Sequence, residues 1–267
     1  MNKKAITIFC FILILLILFN FNKVHYINND IKIKDLKIQS EIKVNPFIDK
    51  LNQQNDKINS IYYSNNSIVV DNIRLKSNIF YEKKLNFRMI SNSFLGKETD
   101  VGSNEKQFWF WSKRMKPSVL FYSEHENLNK TRLKTPFNPN WMIQILGIGK
   151  IVNFDGVFNY KNYLAIVSYD KNNYNEKVTK LQLIDTDKNC FFGHYIYNDK
   201  DELIISAEIQ SYYCVNDIFF PKIIYINWHE EKVKMKWDLS MPKINEKINS
   251  ELWNMPNYSK KIDLNGY

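Results

Sequence analysis

The side chains that most often perform catalysis are scattered along this sequence and form no recognisable motif. No metal-ligand spacing such as H-E-x-x-H joins its histidines, which are His25, His125, His194 and His229. His229 precedes two carboxylates in WHEEK, a stretch typical of a hairpin turn. Asp185 and Asp187 share one face of a predicted strand, and we expect that face to be exposed to solvent. No nucleophile elbow, P-loop or dinucleotide fingerprint is present. We therefore predict that the protein is not an enzyme and holds neither a metal nor a cofactor.

The stretch that favours binding is a run of four aromatic residues, Phe108, Trp109, Phe110 and Trp111. In a strand, successive side chains point to opposite faces, so two of these rings face each way. In one interpretation, one pair lines an apolar cavity and the other anchors a covering element. In the other, the run is a central strand of an ordinary core, where buried aromatics usually pack. The residues alone leave both open.

The formal charge of +9 does not indicate a nucleic-acid partner. Nucleic-acid sites require clustered basic residues, whereas the lysines here are spread evenly among many Asn and Ile residues. We therefore predict a solvated basic surface and no nucleic-acid binding.

The N-terminus predicts export. Lys3 and Lys4 precede an apolar run from Ala5 to Phe19, which as a helix spans roughly 25 Å, just short of a hydrocarbon core. The positive charge before the run favours a cytoplasmic N-terminus. Because no small residues mark a cleavage site, we predict that residues 1–21 form an uncleaved signal-anchor; a cleaved signal peptide is the alternative. Either way, residues 22–45 form a polar stalk and the remainder is exported.

Export would place Cys190 and Cys214 in an oxidising compartment, where a disulfide can persist. The two cysteines flank a predicted hairpin that turns near residues 198–201. A two-residue turn at Lys200 does not place them directly opposite each other, although a bulge would bring them nearer. A Cys190–Cys214 disulfide and two separate buried thiols both remain open.

In the exported part, apolar and polar residues alternate in short segments, a pattern that predicts one antiparallel sheet. A helix is predicted from Pro46 to Ile61, followed by roughly ten short strands separated by turn residues. One interruption, NPNWMIQILGI, predicts a second helix from Pro139 to Leu146, because Pro suits its first turn and Gly its end. Trp141, Ile145 and Ile148 share one stripe of this helix. That stripe packs either on a protein core or over a ligand.

The order of these segments resembles the LolA/LolB-like superfamily of outer-membrane lipoprotein carriers. The resemblance runs from about residue 46 to 264. It rests on GSNEKQFWFWSKRMKPSVLFY, then PFNPNWMIQILGI, then the IYNDKDELIISAEI hairpin with its following strands up to LWNMP. Unlike the carriers of that family, which are released or lipidated, this chain keeps an apolar N-terminal segment.

The resemblance implies an α+β fold in residues 46–267. A single curled sheet, forming an incomplete barrel, would have a few helices covering its concave face. It also implies an apolar ligand cavity, with Trp109 and Trp111 as the pair that we expect to face it and with Trp141 and Ile145 approaching from the lid helix. The full set of predicted ligand-binding residues is Phe108, Trp109, Phe110, Trp111, Trp141 and Ile145.

These features predict a membrane-tethered, non-catalytic binder of a lipoprotein acyl chain or another envelope lipid, located on the periplasmic side of the inner membrane. A sensor or scaffold of the same fold that binds an envelope protein is the alternative. An enzyme acting on envelope polymers is the third possibility and has the least support in the sequence.

Overall fold

The alternating segments of the sequence form a large, open, curled sheet in the computed structural model, which describes residues 37–38, 45–130, 139–171, 176–230 and 232–266. Two α-helices accompany the sheet in these residues, α1 (Asn45–Asp56) and α2 (Pro139–Ile145). The strands are β1 (Lys37–Ile38), β2 (Ser60–Val70), β3 (Ile73–Glu82), β4 (Asn86–Ser93), β5 (Gly96–Ser103), β6 (Gln107–Ser112), β7 (Leu120–Glu124), β8 (Gly156–Tyr160), β9 (Tyr163–Lys171), β10 (Lys177–Asp185), β11 (Cys190–Tyr197), β12 (Leu203–Val215), β13 (Ile218–Trp228), β14 (Val233–Asp238), β15 (Lys243–Ile244) and β16 (Lys261–Asp263).

The strand order divides the sheet into two meanders, β2–β7 and β8–β14. They join through the β14–β2 pair, in which Met235 lies opposite Val70, so that the order is β1-β8-β9-β10-β11-β12-β13-β14-β2-β3-β4-β5-β6-β7-β16. The pairing is antiparallel except between β7 and β16, where Leu120 and Lys261 meet in parallel. The sequence predicted a wholly antiparallel sheet, and this last strand departs from that prediction. The architecture is consistent with an incomplete barrel.

The described residues contain sixteen strands, whereas the sequence predicted about ten. Part of the difference comes from turns that lack Gly or Pro. Asp71, with φ of 52°, reverses the chain between β2 and β3 within SIVVDNIRLK, where neither Gly nor Pro marks a turn. Asn216 and Asp217, with φ of 51° and 61°, form the two-residue turn between β12 and β13. Asn and Asp tolerate this left-handed backbone region better than most residues.

Both helices pack on one face of the sheet, which we call the inner face. Their buried side chains, including Ile48, Leu51 and Ile145, join one hydrophobic core with inner-facing side chains from both meanders. A helix that covers a sheet must bury one apolar stripe against it. The predicted second helix agrees with α2 to within one residue.

The first helix is shorter than the sequence predicted. It ends at Asp56, and the backbone NH groups of Lys57 and Ile58 close its last turn with bonds to residues three positions earlier. Ile61, the last residue of the predicted helix, already belongs to β2. The apolar spacing that suggested one long helix is nevertheless a true core signal, because Ile58 and Ile61 are both buried in the main core.

The opposite face, which we call the outer face, is covered over β4–β6 by the C-terminal segment, residues 249–263. The Arg88 guanidinium donates to both carboxylate oxygens of Asp100, at 3.1 and 2.9 Å, and also to the carbonyl oxygen of Leu252 at 2.9 Å. Further along, the Tyr258 ring stacks on Trp111 with 4.9 Å between centroids. The C-terminal segment is therefore attached by a hydrogen bond from the ion-paired Arg88 and by aromatic stacking.

The predicted membrane segment, residues 1–21, lies outside the described residues. Within the described part of the chain, no helix is both long enough and apolar enough to span a membrane. Residues 22–45 were predicted as a polar stalk, but Lys37–Ile38 form β1 and pair with β8, so the sheet extends into this segment.

Cys190 and Cys214 are free thiols in the structure, the first buried and the second exposed. Gly193 pairs with Glu208, so the register carries Cys190 toward Ser211. Cys214 lies three residues further along β12, about 10 Å at the usual strand rise. Disulfides require Cα atoms roughly 4.4–6.8 Å apart, which this register does not provide.

Candidate functional site

A cavity of about 400 Å³ lies between the inner face of β9–β11 and a roof made by α2 and the segment that follows it. Ligand pockets in proteins usually enclose roughly 300–1,000 Å³. Its wall is formed by strand residues that include Ser168, Gln182, His194 and Ile196, and its roof by Trp141 and residues 150–155. This space is the candidate binding site.

The roof is held in place by two asparagines of α1. Asn52 pairs with the backbone of Ile151 in both directions, donating to its carbonyl at 2.8 Å and accepting from its NH group at 2.9 Å. Asn55 donates to the carbonyl of Gly149 at 2.6 Å. Gly147, with φ of 78°, ends α2 and turns the chain toward this clamp. Hydrogen bonds from the Asn52 and Asn55 side chains to the backbone of the roof therefore fix its position above the sheet.

Trp141 connects the roof to the core. Its ring lies edge-on to Trp228 of β13, with 6.1 Å between centroids, and it also lines the cavity. Ile145, one turn later on α2, is fully buried in the main core and does not line the cavity. The stripe predicted for α2 thus packs mainly on protein, with Trp141 at the boundary between core and cavity.

The deepest polar group of the wall is His194, which is 2% exposed. Burial lowers the pKa of its imidazole to about 3, and the backbone of Gln144 opposes this only in part. The nitrogen of the Gln182 side-chain amide lies 3.5 Å from Nδ1 of this ring. With a pKa this low the His194 ring is neutral near pH 7, so this part of the cavity wall is polar but carries no charge.

The mouth of the cavity combines an apolar rim with paired charges. Val152 and Phe154, which line the cavity, are 72% and 39% exposed. The Tyr169 side chain lies two residues from Val167 on β9 and points to the outer face. Exposed apolar groups that cluster around a concavity mark a binding site more often than isolated ones do. The Lys180 ammonium is ion-paired with the Asp170 carboxylate at the same mouth.

The aromatic run lies elsewhere in the sheet, on β6. Phe108 and Phe110 point to the inner face and belong to the main core, where Phe110 stacks on Phe121 at 5.4 Å. Trp109 and Trp111 point to the outer face, one against Gly102 and the other against Tyr258. The expectation that the tryptophan pair faces inward is therefore reversed, because the strand register places the phenylalanines there. None of the four rings lines the cavity described above.

Sequence reasoning thus identified one wall residue, Trp141, and missed His194, Gln182 and the mouth. His194 and Ile196 alternate in CFFGHYIY, which shows that they share a strand face. No local signal showed that this face lies under α2. The asparagine clamp joins residues almost a hundred positions apart, so it left no local signal either.

His125, His194 and His229, the histidines that the structure describes, do not converge on a metal site. In the described residues no group of three or more His, Cys, Asp or Glu side chains is placed to hold a metal ion. His125 lies 2.7 Å from the carbonyl oxygen of Asn104 through Nε2, and His229 lies in the β13–β14 turn with Nε2 3.0 Å from the Ser206 hydroxyl. Both contacts are structural ones between neighbouring strands and turns.

Comparison with known proteins finds similarity in structure and none in sequence. No family model matches the chain, and no curated protein matches it. Among solved structures, a LolA superfamily protein from Nitrosomonas europaea has a TM-score of 0.51 at 10% identity, covering 80% of this chain and 99% of its own. A DUF1329 family protein from Desulfovibrio piger has a TM-score of 0.52 at 12% identity, covering 80% of this chain and 98% of its own.

A third similar structure bears on the same question. A domain from Vibrio parahaemolyticus, described as belonging to an outer membrane lipoprotein-sorting protein, has a TM-score of 0.51 at 9% identity and covers 78% of this chain and 94% of its own. Identities this low establish the fold alone. The curled sheet, its inner-face helices and these three similarities together show that the chain has the LolA-like fold.

Proposed function

We propose that this protein binds an apolar ligand, an acyl chain of a lipid or lipoprotein, in the cavity beneath α2, without catalysing a reaction. The observation that carries this proposal is the pair of exposed apolar side chains, Val152 and Phe154, in the roof at the cavity mouth. Large apolar side chains left in water at the entrance of a concavity are stabilised when an apolar ligand covers them.

The interior of the cavity supports the same function. Each methylene that leaves water contributes about 0.8 kcal/mol before ordering costs. An acyl chain therefore gains affinity by covering apolar side chains such as Trp141 and Ile196, although charged side chains, among them Lys180 and Asp170, also line the cavity. The neutral imidazole of His194 and the indole of Trp141 provide a wall that an uncharged chain can contact. Neither side chain has the paired acid or nucleophile that catalysis would require.

The location of this binding follows from the N-terminal sequence. We propose that residues 1–21 anchor the chain in the inner membrane and that the sheet lies on the periplasmic side of the cell envelope. The apolar run and the lysines before it support this proposal. A ligand extracted from a membrane would then be held close to its source.

One variant at the cavity mouth and one matched control variant away from it test the binding proposal. Val152→Asp places a carboxylate at the mouth, where an apolar ligand would bury it, and should weaken binding of a fluorescent fatty-acid probe at least about tenfold. Met241→Asp makes the same change at a similarly exposed apolar residue, 60% exposed, that does not line the cavity. This control should bind the probe like the wild type. Equal affinity in all three proteins would place the ligand elsewhere.

Native mass spectrometry of the full chain, extracted in mild detergent, distinguishes the proposed function from the scaffold alternative. Co-purified lipid that is lost in Val152→Asp would support the binder. A protein that co-purifies stoichiometrically, together with an absence of lipid and of probe binding, would overturn it and favour a sensor or scaffold.

A further inference from the structure

Two buried polar groups that border the cavity beneath α2 have no hydrogen-bond partner. They are Nε2 of His194, on β11, and Nε1 of Trp141, on α2. The two residues are 2% and 6% exposed, and both line the cavity, one in its wall and one in its roof. The Gln144 backbone and the Gln182 amide both act on the imidazole, yet Nε2 remains unpaired. Because a buried polar group without a partner costs free energy, a ligand that supplies one is stabilised here.

An unpaired indole NH group bears on the ligand only where it borders the cavity. Trp228, which lies edge-on to Trp141, is also buried with Nε1 unpaired, but it does not line the cavity. The contents of the cavity therefore leave the Trp228 donor unchanged. At Trp141 the same donor belongs to a residue of the roof, so a hydrogen-bond acceptor on the ligand would remove the cost of burying it.

The groups that line the cavity favour an uncharged acceptor. An indole NH group donates and cannot accept, so the ligand must present a lone pair. Both lysines of the lining are already ion-paired, Lys150 with Asp56 and Lys180 with Asp170. A carboxylate or phosphate would therefore lose its water of hydration and find both of these cations occupied, which is costly for a buried charge. A carbonyl oxygen accepts a hydrogen bond without that cost.

Apolar side chains continue from these polar groups to the cavity mouth. On the wall, Ile196 follows His194 on the same face of β11 and lies opposite Lys180, which belongs to the mouth. In the roof, Val152 and Phe154 are the exposed apolar side chains at the same mouth. A ligand with its acceptor beside His194 can therefore cover apolar side chains along the rest of its length.

We propose that Trp141 and His194 form a subsite for the carbonyl oxygen of an acyl ester or amide, with the attached chain directed toward Val152 and Phe154. Trp141 donates through Nε1, and His194 donates through Nε2 in the tautomer that carries its proton there. A carbonyl oxygen has two lone pairs and can accept both hydrogen bonds. This inference rests on the proposed function, because it names the group of the bound lipid that the cavity recognises.

The test compares two lipids that differ in this carbonyl group alone. Monolauroylglycerol is an ester, and dodecylglycerol joins a chain of equal length to the same glycerol through an ether. Each lipid displaces a fluorescent fatty-acid probe from the full chain, which is held in an amphipathic polymer without lipid. We expect the wild type to bind the ester at least about tenfold more tightly than the ether. Lauroylethanolamide, measured in the same way, shows whether an amide carbonyl is bound as well.

Matched variants separate this contact from a structural role. Trp141→Phe keeps an aromatic ring and removes the donor, and His194→Leu removes the second donor. Each should reduce the preference for the ester to less than about threefold, while the ether binds nearly as tightly as it does to the wild type. Trp228→Phe removes an unpaired indole donor that does not line the cavity, so it should keep the wild-type preference. A structural defect would instead weaken the binding of ester and ether alike.

Infrared spectra of the ester labelled with carbon-13 at its carbonyl give a second measurement. The carbonyl stretch should lie at lower wavenumber in the wild type than in Trp141→Phe, because a hydrogen bond weakens the C=O bond. Equal affinity for ester, amide and ether in a protein that binds the probe would overturn the subsite and leave the proposed function intact. A preference that survives in both Trp141→Phe and His194→Leu would also overturn the subsite. A wild type that does not bind the probe would overturn the subsite and the proposed function together.

Discussion

The strands β4–β6 and the strands β9–β11 are built from the same kind of hairpin but end in different environments. Over β4–β6, Phe108 and Phe110 fill the inner face and the C-terminal segment covers the outer face, so both sides are packed. Over β9–β11, the inner face carries Gln182 and His194, and the roof stands far enough above them to leave a cavity. The region that contains the run of four aromatic residues is therefore the closed one.

The difference teaches that a run of consecutive aromatic residues does not locate a binding site in this fold. Four large rings in succession find packing partners on both faces and exclude any void. A cavity persists where the wall carries polar side chains and where α1 fixes the backbone of the roof, because neither can collapse without breaking hydrogen bonds.

The largest effect that would sharpen this comparison comes from truncating one tryptophan in each region. Trp109 is fully buried against Gly102, so Trp109→Ala should lower the free energy of unfolding by about 3–5 kcal/mol, as for other packed aromatics. Trp141→Ala removes a ring that already borders a cavity and should cost less than about 3 kcal/mol, while abolishing fatty-acid probe binding. Urea unfolding with probe titration measures both. The comparison would fail if Trp109→Ala also abolished binding while the domain stayed folded.

A smaller effect tests how tightly the closed region is packed. A Cβ atom at position 102 would lie 2.3 Å from the Trp109 ring, so Gly102→Ala should cost about 1–3 kcal/mol. The same substitution in a Trp109→Leu background should cost much less, because the shorter side chain leaves room for it. Denaturant midpoints of the four proteins complete this double-mutant cycle. Additive costs would show that the two residues are not in contact.

The third prediction concerns Glu208 on β12, whose buried carboxyl lies on the outer face beside β11. This carboxyl lacks the ion-paired cationic partner that Asp100 has. Burial raises the pKa of Glu208 to about 6, although a hydrogen bond from Tyr195 at 2.9 Å and the charge of Lys161 act in the opposite direction. The folded state thus binds this proton more tightly than the unfolded state, whose pKa lies near 4.5. Stability from this group is present below pH 4.5 and is lost as the pH rises to 6.

Glu208→Gln keeps the hydrogen-bond acceptor and removes the titration. It should be more stable than the wild type above pH 6 by up to about 2 kcal/mol, and the difference should disappear below pH 4.5. Thermal unfolding of both proteins across this pH range gives the difference directly. A constant difference at all pH values would show that the carboxyl does not titrate in this window.

The smallest effect is expected at the cavity mouth. The Lys180–Asp170 pair is partly exposed, and such pairs contribute about 0.2–1 kcal/mol. Lys180→Met should therefore change the free energy of unfolding by less than about 1 kcal/mol and should leave probe binding intact. A large loss of stability would mean that the mouth belongs to the packed structure, as the β4–β6 region does.

Much of the fold could be predicted from local patterns. The alternation of apolar residues indicated a sheet, and Pro139 with Gly147 marked both ends of α2. The β11–β12 hairpin was also predicted, with its turn near residues 198–201, and the Asn198 side chain accepts from the NH groups of Lys200 and Glu202 in that turn. Local patterns failed at the end of α1, since the spacing of Ile58 and Ile61 suits a helix as well as a turn followed by a strand.

The candidate site was far less predictable. Trp141 was identified because it lies on the apolar stripe of a helix, a feature of one short segment. His194 forms no motif with the other histidines of the sequence. Its position in the cavity wall depends on α2 lying above β11. The binding prediction was placed on the aromatic run because a sequence shows which side chains are present. It does not show which of them are covered by other segments of the folded chain.

The sequence by itself thus determined that the chain forms a largely antiparallel sheet with two helices, because hydrophobic periodicity and turn chemistry act over a few residues. The curl of the sheet was expected only from the resemblance to the LolA/LolB-like superfamily. Only the tertiary structure decided which face each aromatic occupies and where space remains. Those outcomes depend on contacts between distant segments, such as Asn52 with Ile151 and Arg88 with Leu252. A cavity is set by how far two such segments are held apart, and no single stretch of sequence contains that distance.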